Sequence, residues 1–186
     1  MNTPQHWETQ ADFKEYMSAV NPVMPKIAVD FFPSNLHSTG ATRLIPFDLS
    51  ATLQTQYAAS TPNLYAGYLR ILAGEQFPTE FVAASQMFFV ISGAGSTQME
   101  LGEINWRTGD LFTLPAVPRA LHRATEDSAL FWVNDAPLLN YLGVAPNAQR
   151  FEPVLYTQAR ITAELNKVRA MDENSNRVGV LLSNPH

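Results

Sequence analysis

The sequence predicts a mainly all-β protein, built as one antiparallel sandwich or barrel with an extension at each end. Two observations lead to this prediction. Between about residues 41 and 147, short apolar stretches alternate with turn-forming residues at roughly ten-residue spacing, and no helical periodicity intervenes. Near both ends of the chain, apolar residues recur at helical spacing instead. A chain of 186 residues is long enough to bury its own core and is most simply one domain.

Residues 1–40 are predicted to form an N-terminal extension. Within it, residues 5–20 have the pattern of a short amphipathic helix, and Pro22 and Pro25 end that helix. The apolar residues that fall near one side of this helix are Trp7, Phe13, Tyr16, Met17 and Val20. The chain from residue 26 to residue 42 is expected to be irregular.

Residues 41–147 carry the strand signals. The predicted strands are Tyr65–Leu72, Met87–Ile91, Thr97–Leu101, Ile104–Trp106, Leu111–Leu114 and Ala129–Val133. The sequence Ser92-Gly93-Ala94-Gly95 is typical of a tight glycine turn between two antiparallel strands. This part of the chain is therefore expected to be the barrel.

Residues 148–186 are predicted to form a helix and a strand that pack on the barrel or on a partner subunit. Gln158–Met171 has apolar residues at spacings of four and three, which indicates an amphipathic helix. Val178–Leu182 is predicted to be a terminal strand. Because an exposed apolar strand edge promotes aggregation, this strand should pair with a barrel edge or a second subunit. We therefore expect a homodimer.

Composition and charge exclude several classes of function. The formal net charge is −5 and the 12 Lys and Arg residues are scattered, so nucleic acid is not expected as a partner. The absence of cysteine excludes disulfides and thiolate metal sites. The N-terminus lacks the pattern of a signal peptide, and the longest apolar runs are too short to cross a bilayer. The expectation is a soluble, cytoplasmic protein with no membrane partner.

Two stretches of the chain resemble the two barrel motifs of the cupin superfamily. The first runs from Gly74 to Gly95, and the second runs from Trp106 to Pro115 and is followed by His122. The tail 126–135 adds to this likeness, which covers about residues 46–143. The chain is most similar to the gentisate 1,2-dioxygenase-like family, and above all to the C-terminal barrel of those two-barrel enzymes. The resemblance implies a single cupin jelly-roll barrel.

The metal motif implied by this resemblance is degenerate. In a metal-bearing cupin, the first motif has two histidines separated by one residue and then a glutamate, and these places hold Glu80, Val82 and Gln86 here. From the second motif His122 remains, although the usual spacing would place the histidine at Ala120. A transition metal needs at least three converging donors. We therefore expect neither a metal nor another cofactor.

If a metal does bind, the alternative is Fe(II) or another divalent ion. Its ligands would then be His122, Glu80 and Gln86, with His37 as a further candidate.

Seven residues are candidates for a ligand pocket: Gln86, His122, Glu80, Phe88, Tyr68, Arg70 and Trp132. Strand alternation places Gln86 and Phe88 on one face, and the resemblance implies that this face is the barrel interior. An arginine pairs well with a carboxylate. Each candidate also has a structural interpretation. His122 could be a hydrogen-bonded histidine at the barrel mouth, Glu80 a solvated loop residue and Gln86 a satisfied amide. Arg70 could lie on the outer face, and Trp132 could fill the core.

Three functions remain open from the sequence. The first is a metal-free, small-molecule-binding barrel, with an aromatic or carboxylic acid among the candidate ligands. The alternative, should the chain be an enzyme, is an iron-dependent, gentisate-like ring-cleaving dioxygenase. The second alternative is a non-catalytic structural or regulatory dimeric barrel. The fold by itself does not separate them, because function belongs to the site.

Overall fold

A computed structural model of the chain describes residue 9 and residues 11–20, 29–171 and 179–183. These residues form ten strands in two antiparallel sheets and five short or medium-length helices. In chain order the elements before the barrel core are α1 Tyr16–Val20, α2 Asn35–Ser38, β1 Arg43–Pro46 and α3 Ser50–Leu53. The central strands are β2 Tyr65–Ile71, β3 Gln76–Thr79, β4 Ser85–Ser92, β5 Ala94–Met99, β6 Gly102–Arg107, β7 Leu111–Pro115, β8 Ala120–Ala124 and β9 Ser128–Asn134. The last elements are α4 Ala136–Leu142, β10 Val154–Tyr156 and α5 Gln158–Met171.

The strands build a jelly roll from two facing sheets. The six-stranded sheet has the order β1-β2-β9-β4-β7-β10, and the four-stranded sheet has the order β3-β8-β5-β6. Strands far apart in sequence are neighbours in both sheets, for example β2 and β9, as Greek-key connections require. The prediction of a mainly all-β cupin jelly-roll barrel is confirmed.

The core lies between the inner faces of the two sheets. Alternation along each strand sends large side chains inward from the six-stranded sheet and mostly smaller ones from the four-stranded sheet. The buried residues of this cluster include Leu69, Phe88, Phe112, Leu130 and Trp132 from the larger sheet, and Met99, Trp106, Ala120 and Ala124 from the smaller one. The interior is therefore packed with side chains between the middle strands.

The glycine turn after β4 has a different role from the predicted one. It does not join two paired strands, because β4 belongs to the six-stranded sheet and β5 to the four-stranded sheet. At Gly93 the backbone has a φ of 88°, which only glycine adopts without strain. A Cβ at this position would lie 2.2 Å from the Ser128 hydroxyl. The chain bends sharply here to cross from one sheet to the other.

Both extensions differ in part from the prediction. Among the described residues the N-terminal helix is Tyr16–Val20, and residues 11–15 before it are not helical, while residues 1–8 and 10 lie outside the described residues. Phe13 and Tyr16 are 92% and 75% exposed, so little packing supports a longer helix. The C-terminal helix has the predicted bounds, Gln158–Met171, with its apolar residues half-buried or exposed.

The predicted terminal strand is wrong for the part that can be checked. Residues 179–183 form no strand, and Val178 lies outside the described residues. A side-chain hydrogen bond, from the Tyr156 hydroxyl to the Ser183 carbonyl at 2.7 Å, links this segment to β10. Leu181 is 95% exposed. Among the described helices, none combines the length and the apolar content needed to cross a membrane.

Candidate functional site

Stacked aromatic rings fill the interior of the six-stranded sheet. The ring of Phe88 on β4 is stacked on Phe112 of β7, with centroids 4.8 Å apart and planes 10° apart. On its other side, Phe88 is stacked on Trp132 of β9 at 5.6 Å and 8°. All three side chains are fully buried. Two of the candidate pocket residues, Phe88 and Trp132, are thus brought together as core packing.

His122 lies inside the barrel on β8, fully buried against the ring of Phe88 at 4.8 Å. Its two ring nitrogens each contact a threonine hydroxyl: Nε2 is 3.0 Å from Thr79 Oγ1 and Nδ1 is 2.8 Å from Thr97 Oγ1. Burial disfavours the charged imidazolium and lowers the pKa of His122 to about 3. The side chain is therefore neutral at physiological pH.

The hydrogen bonds around His122 form a directed chain. Trp106 Nε1, which can only donate, donates to Thr97 Oγ1 at 2.9 Å. Because the Thr79 hydroxyl has the Ala120 carbonyl as an acceptor, we assign the imidazole hydrogen to Nε2, which donates to Thr79 Oγ1, and Nδ1 then accepts the Thr97 hydroxyl hydrogen. The Thr79 hydroxyl in turn lies 3.5 Å from the Ala120 carbonyl. This arrangement uses both nitrogens of His122 for core hydrogen bonds.

Gln86 and Glu80, the other potential metal ligands of the motifs, are also engaged. Gln86 is 2% exposed, and its Oε1 accepts a hydrogen bond from Trp132 Nε1 at 3.1 Å. Glu80 lies at the barrel rim, where its carboxylate is 3.0 Å from Arg119 Nε, and both side chains are more than half exposed. Within the part of the chain that the structure describes, no group of three or more His, Asp or Glu side chains is placed to hold a metal.

The donor set at the motif positions does not fit a metal centre. A divalent transition metal needs at least three free donors at about 2.0–2.2 Å. One nitrogen of His122 carries a hydrogen and the other accepts one, while Gln86 Oε1 accepts from Trp132. His37 lies on the other side of the six-stranded sheet, where its ring is 4.6 Å from that of Tyr68. Each of these residues is therefore engaged with partners of its own, and the four do not converge on one point.

Tyr68 and Arg70 lie on the outer face of the six-stranded sheet, away from the barrel interior. Arg70 is 9% exposed, and it donates from Nε to the Gly40 carbonyl at 2.8 Å and from Nη1 to the His37 carbonyl at 3.0 Å. The Tyr68 hydroxyl donates to the Phe32 carbonyl at 3.4 Å. The two side chains bind the segment before β1 to the sheet.

The open space near the motifs is a cleft at the barrel mouth, with a volume of about 470 Å³. Three connections meet there: the β3–β4 connection, the β7–β8 loop and the chain after α4. The residues that line the cleft are 80–83, 116–118, 145, 146, 148 and 149. Most of these side chains are apolar, and Glu80 brings a charge to the rim. Such an apolar concavity with few polar groups is the usual form of a small-molecule site.

Phe81 separates this cleft from the barrel interior. Its half-buried ring lines the cleft and contacts the rings of Tyr65 at 5.0 Å and Trp132 at 4.9 Å. The sequence reasoning missed Phe81, although this residue lies next to Glu80 in the first motif. It also missed Arg119, the partner of Glu80. No periodic pattern marks either residue, because both lie in connections between strands.

The chain is similar over part of its length to a curated dioxygenase. A 5-nitrosalicylic acid 1,2-dioxygenase of Bradyrhizobium sp. is 26% identical over 91 residues, which is 48% of this chain and 44% of that protein. The chain thus spans less than half the length of this curated relative. No family model matches the sequence. The resemblance to the cupin and gentisate 1,2-dioxygenase-like proteins that the motifs indicate is confirmed.

Solved structures show the same kind of likeness. A salicylate 1,2-dioxygenase from Pseudaminobacter salicylatoxidans matches with a TM-score of 0.47 and 22% identity, over 67% of this chain and 34% of that one. A cupin 2 conserved barrel domain protein from Leptotrichia buccalis matches with a TM-score of 0.45 and 14% identity, over 62% of this chain and 51% of that one.

Proposed function

We propose that this chain is a small-molecule-binding barrel that takes an apolar carboxylate into the cleft at its mouth, without a metal. The observation that carries the proposal is the form of this cleft, which has apolar walls and the Glu80–Arg119 ion pair at its rim. The walls of the cleft indicate the body of the ligand, and the rim indicates its charged group.

The walls favour an apolar ligand body. Val82 is 60% exposed at the cleft, and Val117 and Pro118 line it from the β7–β8 loop. Covering apolar surface of this kind stabilises a complex by about 25 cal/mol for each Å² removed from water. The volume of about 470 Å³ is enough for a molecule with one ring or a short branched chain.

The rim favours a carboxylate on that ligand. Arg119 already holds a carboxylate, that of Glu80, at 3.0 Å. Because both side chains are more than half exposed, this ion pair contributes little stability and opens at small cost. A guanidinium matches a carboxylate in a bidentate arrangement. A ligand carboxylate would therefore replace Glu80 on Arg119, and Glu80 would compete with the ligand.

The motif residues support a function without a metal. His122 uses both ring nitrogens in hydrogen bonds to Thr97 and Thr79, and Gln86 Oε1 already accepts from Trp132, so the motif positions do not offer three free ligand atoms to an ion. In this proposal the barrel interior is a rigid support for the cleft, and recognition takes place at the mouth.

Calorimetric titration with benzoate as the probe, on chelator-treated protein, tests the proposal. Arg119→Gln should weaken benzoate binding by about tenfold or more, since a charged hydrogen-bonded pair is lost. Glu80→Gln should strengthen it a few-fold, because the competing carboxylate is gone. Arg123→Gln is the matched control: this arginine is exposed on the neighbouring strand β8 and binds Gln76 and Gln98. Equal binding by wild type and Arg119→Gln would refute the proposal.

A second candidate is the metal-dependent, gentisate-like ring-cleaving dioxygenase. The match over 91 residues to a 5-nitrosalicylic acid 1,2-dioxygenase favours it. Oxygen uptake with gentisate, after anaerobic loading with Fe(II), distinguishes the two candidates. The dioxygenase requires uptake that disappears in His122→Ala, whereas the metal-free binder gives no uptake and still binds benzoate. A purely structural or regulatory barrel would show neither oxygen uptake nor benzoate binding.

A further inference from the structure

Asn134 has a buried amide nitrogen without a hydrogen-bond partner. This side chain, at the end of β9, is 2% exposed, and its Oδ1 accepts the backbone N–H of Ala136 at 3.0 Å. That bond fixes the orientation of the amide, because the NH₂ group could not accept a hydrogen there. Among the described residues, Nδ2 has no partner. Buried donors are nearly always paired in folded proteins, so this one is a candidate to serve a ligand.

Asn134 lies at the end of the barrel that Phe81 closes. Its cross-strand neighbours are Tyr65 on β2 and Gln86 on β4, and it follows Trp132 on the inward face of β9. Phe81 contacts the rings of Tyr65 and Trp132 and lines the mouth cleft. The unpaired amide is therefore in the layer of side chains directly below the floor of the cleft.

The inward side chains next to Asn134 are uncharged, and the charges nearby are the carboxylates of Asp135, the next residue, and of Asp48, which acts on Tyr65. Gln86 and Trp132 are neutral and bonded to each other, and burial raises the pKa of Tyr65 to about 12, so its phenol stays protonated. A charged ligand group would lose its hydration here and would find no counter-charge. The free-energy cost of removing a neutral acceptor from water is far smaller. The charge of the ligand therefore belongs at the rim, beside Arg119, and a neutral acceptor oxygen belongs at the deep end.

We propose that Asn134 Nδ2 is the inner anchor of the ligand and donates a hydrogen bond to a carbonyl oxygen that enters when Phe81 turns aside. The inference rests on the proposed function. It narrows the ligand to an apolar carboxylate with a carbonyl group at the end opposite the carboxylate. Arg119 and Asn134 then select for the two ends of one molecule, and Phe81 covers its middle.

Two probes of nearly equal shape test this inference: 4-acetylbenzoate, which has the carbonyl, and 4-ethylbenzoate, which lacks it. Wild type should bind 4-acetylbenzoate about tenfold more tightly than 4-ethylbenzoate, since one buried hydrogen bond distinguishes the two complexes. Asn134→Leu should remove this preference and leave the affinity for 4-ethylbenzoate within about twofold. Titration calorimetry on the full chain measures both effects.

Asn134→Asp, titrated at a pH where the new carboxyl group is ionised, serves as the second variant, because it keeps an oxygen for the Ala136 N–H and replaces the donor by an acceptor. It should reverse the preference, in favour of 4-ethylbenzoate. Equal binding of both probes to wild type, or an equal loss of both in Asn134→Leu, would overturn the inference. If benzoate binds through Arg119 in that case, the proposed function stands. If neither probe nor benzoate binds, both proposals fall.

Discussion

The Nδ1 atom of His122 lies 2.8 Å from the hydroxyl oxygen of Thr97, its direct cross-strand partner in the four-stranded sheet. Trp106 donates to the same hydroxyl, and Thr79 bonds the other ring nitrogen. The histidine that the resemblance places in the second metal motif is thus the centre of a buried hydrogen-bond chain. Several predictions depend on this relationship.

Removing the hydroxyl of Thr97 should destabilise the fold. Thr97→Val keeps the shape of the side chain but leaves Trp106 Nε1 without an acceptor and His122 Nδ1 without a donor. Two unpaired buried groups should lower the free energy of unfolding by about 2–4 kcal/mol. Urea unfolding of wild type and variant at neutral pH measures the difference.

Thr113→Val is the matched control for this substitution. The Thr113 hydroxyl is also buried but has no hydrogen-bond partner among the described residues. Its removal should leave the free energy of unfolding unchanged or raise it by about 1 kcal/mol. If both valine variants lose the same stability, the hydrogen-bond chain around His122 does not contribute as described.

Stability should fall on acidification because His122 is neutral in the folded protein. Its pKa is about 3 when folded and about 6.5 when unfolded, so the unfolded state binds more protons between these values. The contribution of His122 is therefore fully present above pH 6.5. It is lost at roughly 1.4 kcal/mol per pH unit as the pH falls toward 3.

The contribution of His122 to the pH dependence of stability is obtained by comparing wild type with a variant that lacks the histidine. His122→Gln removes the titrating group and keeps an amide in the barrel, so its free energy of unfolding should depend less on pH between 6 and 4 than that of wild type. Urea unfolding at a series of pH values measures both slopes. Identical slopes would mean that His122 titrates alike in the folded and unfolded states.

Arg70 should hold the segment before β1 on the sheet. Arg70→Met keeps the length of the side chain but removes the hydrogen bonds to the His37 and Gly40 carbonyls. Hydrogen bonds from a charged donor in a nearly buried place contribute about 1.5–3 kcal/mol each, so the free energy of unfolding should drop by at least about 2 kcal/mol. Limited proteolysis should then cut within residues 29–42 faster in Arg70→Met than in wild type.

Arg123→Met controls for the loss of an arginine in general. Its hydrogen bonds, to the side chains of Gln76 and Gln98, are exposed and should contribute less than about 1 kcal/mol. A proteolysis rate at residues 29–42 that is the same in Arg70→Met and wild type would contradict the assignment.

The sequence was sufficient to predict the barrel, because strand spacing, turn residues and the two motifs agree. The prediction did not identify β8, the strand that carries His122. Its inward positions, Ala120, His122 and Ala124, combine two small residues with a polar one, so the apolar alternation is weak. The terminal strand was wrongly predicted for residues 179–182 as a barrel edge, since an apolar run does not show whether a partner strand is available, and its pairing with a second subunit stays a prediction.

The site depends on contacts that sequence patterns do not contain. Thr79 and Thr97 meet His122 through the pairing of β3 and β5 with β8, and this register cannot be read from one chain. Phe81 and Arg119 act from connections between strands, where no period applies. The interior position of Gln86 did follow from strand alternation together with the resemblance of the motifs. The predicted homodimer and the cytoplasmic location stay predictions.

Metal content after anaerobic loading with Fe(II) and removal of free ions is the decisive measurement. With His122 as a neutral hydrogen-bonding group of the core and a mouth cleft that works without a metal, elemental analysis should find far less than one metal ion per chain. Wild type and His122→Gln should not differ. Close to one iron per chain in wild type, lost in His122→Gln, would contradict this expectation.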